Sequence, residues 1–143
     1  MTITIERLTK NDAGAAAGIV EMFHGKSTDS VRMQEWLSDS RNFLLAAHSD
    51  GAVAGFLLAY ELDRVDQAKT MMFLYKLDVL EKYRRKGIGK SLILELKRWC
   101  VQNKCLKMFV ITNETNSAAM NLYESAGGKR KHNDDALFEY HSF

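Results

Sequence analysis

Proline is absent from the 143 residues of this chain, and cysteine occurs only twice. Cys100 and Cys105 stand five residues apart, which is the spacing of neither a metal-binding nor a redox-active pair, and the four histidines are scattered. A chain of this length buries roughly 70% of its unfolded surface, so it needs neither a disulfide nor a metal to fold. These absences predict reduced thiols and no metal.

Long apolar runs, linkers, repeats and low-complexity segments are also missing. No stretch of 18 apolar residues occurs, which excludes a membrane-spanning helix. The first nine residues alternate instead of forming a charged-then-apolar leader, so a cytoplasmic location is expected. Hydrophobic residues make up 46% and charged residues 27%, the ordinary balance of a globular chain. Residues 1–143 are therefore expected to form a single domain.

Charge is distributed unevenly along the chain, although the net charge is only +2. Residues 1–70 have a net charge of −3 and residues 71–143 of +5, and five of the nine residues from Lys82 to Lys90 are basic. Such a cluster is usually a solvated surface, but this one lies where an anion could bind. Nucleic acid is less favoured as a partner, because the basic residues are not interleaved with exposed-looking aromatics.

Hydrophobic periodicity and turn residues predict the element order β-α-α-β-β-β-α-β-α-β-β. The predicted strands are 2–8, 43–47, 52–62, 71–79, 106–112, 129–132 and 136–143, the last two as a closing hairpin. The predicted helices are 12–23, 29–37, 87–103 and 116–125. Antiparallel strands come first and a β-α-β-α unit follows, so we expect an α/β (α+β) domain with a mixed, mostly antiparallel sheet of about seven strands and about four helices.

The segment from Tyr83 to Ser91 joins a predicted strand to a predicted helix and contains two glycines. Free backbone amides and the positive end of the helix meet at such a junction, which suits a phosphate or diphosphate. The alternative is a tight turn whose glycines serve packing alone. The segment is not a Walker loop, since Arg84 stands where the first glycine is required. It is not a dinucleotide loop either, since Leu92 replaces the third glycine.

What remains is the pattern Arg84-x-x-Gly87-x-Gly89. It matches the acetyl-CoA loop, Gln/Arg-x-x-Gly-x-Gly/Ala, of the GNAT superfamily of N-acetyltransferases, which this sequence closely resembles. A second match, Asn-x-x-Ala-x-x-Leu-Tyr-x-x-x-Gly, begins at Asn116 and ends at Gly127. A third, Leu-x-Val-x-x-x-Tyr-Arg, begins at Leu77 and follows the end of the family's fourth strand. The resemblance implies the GNAT fold and acetyl-CoA as the acetyl donor.

The resemblance also implies a role for each matching residue. Backbone around Leu77–Val79 would pair with the pantetheine arm, and amides from Arg85 to Lys90 would hold the pyrophosphate. Asn116 would contact the pantetheine region, and the Tyr123 hydroxyl would protonate the departing thiolate, unless Tyr123 is only a core aromatic. The implied cofactor-binding residues are Leu77, Asp78, Val79, Arg84, Arg85, Lys86, Gly87, Ile88, Gly89, Lys90, Asn116 and Tyr123.

Amine acetylation needs a proton acceptor for the attacking amine and a donor for the oxyanion. Asp78 and Glu61 are the candidate general bases, with a surface charge as the alternative for either, and a backbone amide near Val79 is the expected oxyanion donor.

The family also often has an aromatic residue where Gly128 stands. Phe138 or Tyr140 is expected to replace the volume of that ring in the core.

A narrower resemblance concerns the acetyl acceptor. The stretch from Phe43 to Gly89 is similar to aminoglycoside 3-N-acetyltransferases of the gentamicin type. An aminoglycoside is a polycation, so an acidic acceptor side is expected. Lys76 argues against it, because those enzymes have an acidic residue there, unless Asp78 on the same strand face neutralises the lysine. The segments of the resemblance are Ala59-Tyr60-x-Leu62, Gln67-Ala68, Tyr75-x-Leu77-x-Val79 and Arg84-Arg85-x-Gly87-Ile88, and the acids of the expected side are Asp29, Glu61, Asp63 and Asp66.

Several functions therefore stay open. The chain is expected to acetylate a primary amine of a small molecule, an aminoglycoside or another amine, in a ternary complex with acetyl-CoA. A protein N-terminus or a lysine is the alternative acceptor. A catalytically silent CoA-binding module and a nucleic-acid binder are the alternatives without this chemistry. Dimers are common in the family that the chain resembles, so a homodimer is one possible assembly.

Overall fold

The computed structural model describes residues 1–142 and contains five strands and four α-helices. Two 3-10 turns, Lys10–Asp12 and Glu81–Tyr83, precede the first and third helices. The elements in chain order are β1 (Ile3–Arg7), α1 (Ala13–His24), α2 (Ser30–Ser38), β2 (Asn42–Ser49), β3 (Ala52–Leu62), β4 (Met71–Val79), α3 (Ile88–Gln102), β5 (Lys107–Val110) and α4 (Ser117–Ser125). The first nine predicted elements and the α/β fold class are confirmed.

The closing hairpin expected at residues 129–132 and 136–143 is wrong as far as residue 142, and Phe143 lies outside the described residues. Residues 129–142 contain no strand, so the described sheet has five strands instead of seven. A two-stranded hairpin is at best marginally stable without a sheet or a core to pack on. Phe138 and Tyr140 are 77% and 78% exposed, so neither fills the core as expected.

The strands are arranged in the order β1-β2-β3-β4-β5. Neighbouring strands are antiparallel from β1 to β4, whereas β5 runs parallel to β4, as the crossover through α3 requires. Pairing of β4 with β5 ends at Leu74 and Val110, although β4 continues to Val79. The two strands thus separate into a fork beyond Leu74 and Val110.

Side chains alternate between the two faces of the sheet and form two cores. On one face, Leu57 and Leu74 pack with the buried stripe of α3, which includes Leu92 and Leu96. On the other face, Phe56 belongs to a core with residues of α1 and α2. We call these the α3 face and the α1/α2 face.

A bulge at Tyr75 changes the alternation along β4. Leu74 is paired with Ala59 and Lys76 with Leu58, so Tyr75 is the extra residue. Beyond the bulge, Lys76 and Asp78 pair with residues of the α1/α2 face, whereas Leu77 packs on the α3 face. The bulge therefore determines which side chains of β4 lie on each side of the fork.

Candidate active site

Beyond Leu74 the backbone of β4 has one free edge, which lines the fork. The Leu80 amide donates a hydrogen bond to the Ala54 carbonyl oxygen of β3 at 2.8 Å. Successive residues of a strand direct their backbone groups to opposite edges, so the groups of Val79 and Leu77 point away from β3, into the fork. This edge can pair with an extended ligand that contains amides.

A loop at the end of the fork leads from the Glu81–Tyr83 turn into α3. Arg85 has φ +63° and Gly87 has φ +81°, two left-handed residues that turn the backbone sharply before the helix begins. Within residues 1–142, no backbone amide from Arg85 to Lys90 donates a hydrogen bond. Arg84, Arg85, Lys86 and Lys90 are exposed around these amides. Six free amides, a helix N-terminus and a basic surround are features that suit a diphosphate.

The two glycines of the loop have different tasks. Gly87 is the N-cap of α3, and a Cβ there would meet no atom within 4 Å, so its positive φ is the reason for glycine. Gly89 is buried, and a Cβ there would lie 3.1 Å from Leu122 Cδ2 and 3.5 Å from Leu77 Cδ2. Gly89 therefore allows α3 to approach α4 and β4 closely, which is the packing alternative that the sequence left open.

Asp78, Val79 and Arg84 form a charged cluster at the end of β4. The Val79 amide donates to Asp78 Oδ1 at 2.9 Å, and Arg84 Nε donates to the Val79 carbonyl oxygen at 2.9 Å. Arg84 Nη2 lies 3.6 Å from Asp78 Oδ1. The Asp78 carboxylate thus lies at the fork. It accepts the hydrogen bond of the Val79 amide, which was expected to serve as the oxyanion donor.

Tyr123 lies on α4, half-buried beside the apolar cluster that contains Leu77 and Val79. Burial raises the pKa of the Tyr123 phenol above its ordinary value, because the ionised form loses solvation. The phenol therefore holds its proton at neutral pH and is able to donate it. The Gly128 amide donates to the Tyr123 carbonyl oxygen at 2.9 Å, and a Cβ at Gly128 would also lie 2.9 Å from that oxygen, so the aromatic residue of the family would not fit here.

Asn116 caps α4, since its Oδ1 accepts a hydrogen bond from the Ala119 amide at 3.1 Å. This contact explains the asparagine at the start of the helix. Its contact with the pantetheine region stays a prediction.

Glu61 is not brought to the fork. It is paired with Met72, whereas Asp78 is paired with Phe56, six residues further along β4, or about 20 Å at the usual rise of a strand. Glu61 accepts a hydrogen bond from Thr70 Oγ1 at 2.6 Å, on the sheet face opposite to Asp78. The structure therefore favours Asp78 over Glu61 as the proton acceptor.

The other acids of the expected acidic acceptor side are also engaged elsewhere. Asp29 Oδ1 caps α2 by accepting from the Val31 amide at 2.8 Å. Asp63 lies 3.6 Å from Arg41, and Asp66 lies 2.7 Å from Arg64. The structure does not gather these carboxylates into one acidic surface.

A cleft on the α1/α2 face was not predicted from the sequence. Its inner pocket has a volume of about 140 Å³ and its outer pocket, which shares Val20 and Thr28 with it, about 620 Å³. The inner pocket is lined mainly by Val20, Met33, Trp36, Leu44, Leu58 and Tyr60. The outer pocket is lined mainly by Phe23, His24, Lys26, Ser27 and Lys76. No local motif marks these residues, because they come from α1, α2, the loop between these helices and three strands.

Comparison with known proteins decides the family. The model of the acetyltransferase (GNAT) family matches residues 15–128. The chain belongs to this family. Acetyl-CoA is the acetyl donor of GNAT acetyltransferases, and the free amides of residues 85–90 and their basic surround fit its diphosphate. Within residues 1–142 there is no group of three or more His, Cys, Asp or Glu that could hold a metal ion, and no helix is long and apolar enough to cross a membrane.

Curated relatives of this GNAT chain are matched only in part. N-alpha-acetyltransferase 30 of Xenopus laevis is 36% identical over 81 residues, which are 54% of this chain and 29% of the relative. The human protein of the same name is 35% identical over 81 residues and is covered to 22%. The chain thus spans less than a third of the length of these relatives.

Solved structures match over nearly the whole chain. An aminoglycoside acetyltransferase from an uncultured soil metagenomic sample, in complex with sisomicin, is 22% identical with a TM-score of 0.89, and the match covers 99% of this chain and 96% of that one. The aminoglycoside N-acetyltransferase AAC(6')-Iy, in complex with CoA, is 21% identical with a TM-score of 0.78, covering 99% and 95%. At these identities the matches show the GNAT fold, and they do not single out the 3-N branch.

Proposed function

We propose that the chain transfers an acetyl group from acetyl-CoA to a primary amine of a small molecule, by direct attack in a ternary complex. The observation that carries the proposal is the continuity of the fork with the loop of free amides. A diphosphate held at residues 85–90 would place the pantetheine arm along the open edge of β4. Holding both reactants in this geometry is worth roughly 7–11 kcal/mol of the barrier.

The charged cluster at the end of β4 supplies the groups near the reacting carbonyl. The amine nitrogen attacks the thioester carbonyl carbon, and Asp78 accepts the amine's proton directly or through water. A positioned general base contributes about 10²–10⁴-fold. The Val79 amide points into the fork and serves as the oxyanion donor once the Asp78 carboxylate turns away from it. A donor of this kind is worth roughly 3–4 kcal/mol.

The carbon–sulfur bond then breaks, and the Tyr123 hydroxyl protonates the thiolate. Its raised pKa supports this role, because the phenol remains protonated at the pH at which the amine is partly neutral. The products are the acetylated amine and coenzyme A. Asp78 releases the amine's proton to water and Tyr123 takes up a proton from water, so both groups return to their starting state.

Thiol release from acetyl-CoA with a panel of amines tests the transfer. The panel includes gentamicin, since several structural neighbours are aminoglycoside acetyltransferases, and a short peptide, since the curated relatives are N-alpha-acetyltransferases. We expect amine-dependent thiol release. Asp78→Asn should lower kcat, whereas Glu61→Gln should not, because Glu61 lies far from the fork. Binding of coenzyme A without release with any amine would instead indicate a silent CoA-binding module.

A further inference from the structure

We propose that the acetyl acceptor is a small amine that carries an apolar side chain and an acidic group, as apolar α-amino acids do, and not a polycation. This inference rests on the proposed function and specifies its acceptor. It follows from the shape and charge of the cleft on the α1/α2 face.

The inner pocket fits an apolar group of limited size. Val20, Met33, Leu44 and Leu58 form its apolar lining, and Trp36 closes on Tyr60 with ring centroids 5.9 Å apart. An apolar cavity of roughly 150 Å³ holds benzene in another protein. A pocket of about 140 Å³ therefore accommodates a side chain of the size of leucine or phenylalanine.

Aromatic rings connect this pocket to the fork. Tyr60 contacts Tyr75 with centroids 5.6 Å apart, Tyr75 contacts Phe73 at 5.8 Å, and Phe73 stacks on Phe109 of β5 at 4.8 Å. Tyr75 is the first residue of β4 beyond its pairing with β5, and it is 57% exposed. An apolar surface thus leads from the inner pocket to the start of the fork, three residues along β4 from Asp78.

The charged groups of the cleft are basic. Lys26 and Lys76 line the outer pocket and Arg32 lines the inner one, and the described lining residues of both pockets include no carboxylate. Asp78, on the same strand face as Lys76, is ion-paired with Arg84, and no ion pair within residues 1–142 involves Lys76. Asp78 therefore neutralises Arg84 and not Lys76. An aminoglycoside acceptor would require Lys76 to be neutralised.

The distance between Lys76 and Asp78 along β4 suits an acceptor whose amine and acidic group are close together. Lys76 and Asp78 are two residues apart on one face, which corresponds to about 7 Å of strand. An α-amine at Asp78 would have its carboxylate directed toward Lys76 and its side chain along the aromatic rings. A polycation would meet Lys26 and Lys76, neither of which has an ion-pair partner within residues 1–142, and such repulsion discriminates between ligands as effectively as attraction does.

Four acceptors with matched differences test the inference by kcat/KM, measured as thiol release from acetyl-CoA. L-Leucine has both features, 3-methylbutylamine lacks the carboxylate, glycine lacks the side chain, and gentamicin is a polycation. We expect L-leucine to exceed each of the other three by about tenfold or more. Equal or higher kcat/KM for 3-methylbutylamine or gentamicin would overturn the inference. A leucine-led peptide that exceeds L-leucine would also overturn it and indicate a peptide N-terminus.

Variants connect the preference to the cleft. Lys76→Glu should lower kcat/KM for L-leucine about tenfold and should raise that for 3-methylbutylamine, because the new carboxylate repels the acid of leucine and attracts a simple ammonium. Lys10→Glu makes the same charge change at the far end of α1 and should alter neither. Val20→Phe should reduce kcat/KM for L-leucine more than that for glycine, because Val20 lines both pockets and the larger side chain takes up space that the leucine side chain needs. Unchanged preference in Lys76→Glu and Val20→Phe, with the melting temperature and coenzyme A affinity retained, would refute the assignment of this cleft. If the wild-type protein released no thiol from acetyl-CoA with any amine, the transfer function itself would be refuted.

Discussion

Gly87→Asp should separate the acetyl-CoA site from an ordinary turn. The variant places a carboxylate among the free amides of residues 85–90 and forces aspartate into φ +81°. A Cβ at Gly87 meets no atom within 4 Å, so steric conflict with the rest of the protein does not contribute. Two effects remain, the backbone conformation and the new charge.

The magnitudes of these two effects can be compared. A non-glycine residue in the left-handed region costs roughly 1–2 kcal/mol of folding free energy. Two like charges 4 Å apart repel by about 1 kcal/mol in water and about 4 kcal/mol at an effective dielectric of 20. The loop is exposed, so the lower part of this range applies, and the dissociation constant of coenzyme A should rise about fivefold or more.

Calorimetric titration with coenzyme A measures the change, and Gly51→Asp is the matched control. Gly51 has φ +86° and equally open space, but it lies in the β2–β3 turn, outside the loop of residues 85–90. Both variants should lose similar stability in thermal melting, and only Gly87→Asp should lose affinity. The wild-type affinity should also fall as salt is added. Equal coenzyme A affinity in the two variants would refute the diphosphate site.

Three further predictions concern α4 and its contacts. Tyr123→Phe should lower kcat without weakening coenzyme A binding, as steady-state rates and calorimetry would show; an unchanged kcat would exclude the hydroxyl as proton donor. The raised pKa of Tyr123 means that the folded state favours the protonated phenol, so this contribution to stability is present below about pH 10 and is lost above it. The melting temperature of the wild type should therefore fall more steeply between about pH 9 and 11 than that of Tyr123→Phe, and parallel curves would contradict this linkage. Gly89→Ala should cost about 1–3 kcal/mol of unfolding free energy in denaturant titration, because the new methyl group lies 3.1 Å from Leu122 Cδ2; no loss would show that α4 can shift freely.

The first nine elements could be predicted because each is encoded locally. The spacing of Ile88, Leu92 and Leu96 is that of one buried helical face, and these residues are buried in α3. The closing hairpin was wrong because alternation indicates only the capacity to form a strand. Residues 136–142 alternate as a strand does, but they do not pair with β5, whose one described partner is β4. The segment is exposed.

The choice between Asp78 and Glu61 depended on topology. Both are carboxylates on predicted strands, and their separation follows from the antiparallel pairing of β3 with β4 and from the bulge at Tyr75. A one-residue bulge reverses the faces of every later side chain. No local pattern in the sequence predicts the bulge at Tyr75.

The acetyl-CoA loop was recognisable from sequence alone, since anion binding there depends on backbone amides and glycines that are consecutive in the chain. The proposed acceptor cleft depends on tertiary structure, because its lining residues come from α1, α2, the loop between them, β2, β3 and β4 and meet only on folding. Composition likewise showed a net acidic first half, but folding used Asp29, Asp63 and Asp66 in caps and ion pairs and left Lys26 and Lys76 in the cleft. The net charge of a segment does not say where its charged groups lie in space. A ligand interacts most strongly with the charges that the fold places near it, because the Coulomb energy falls with distance.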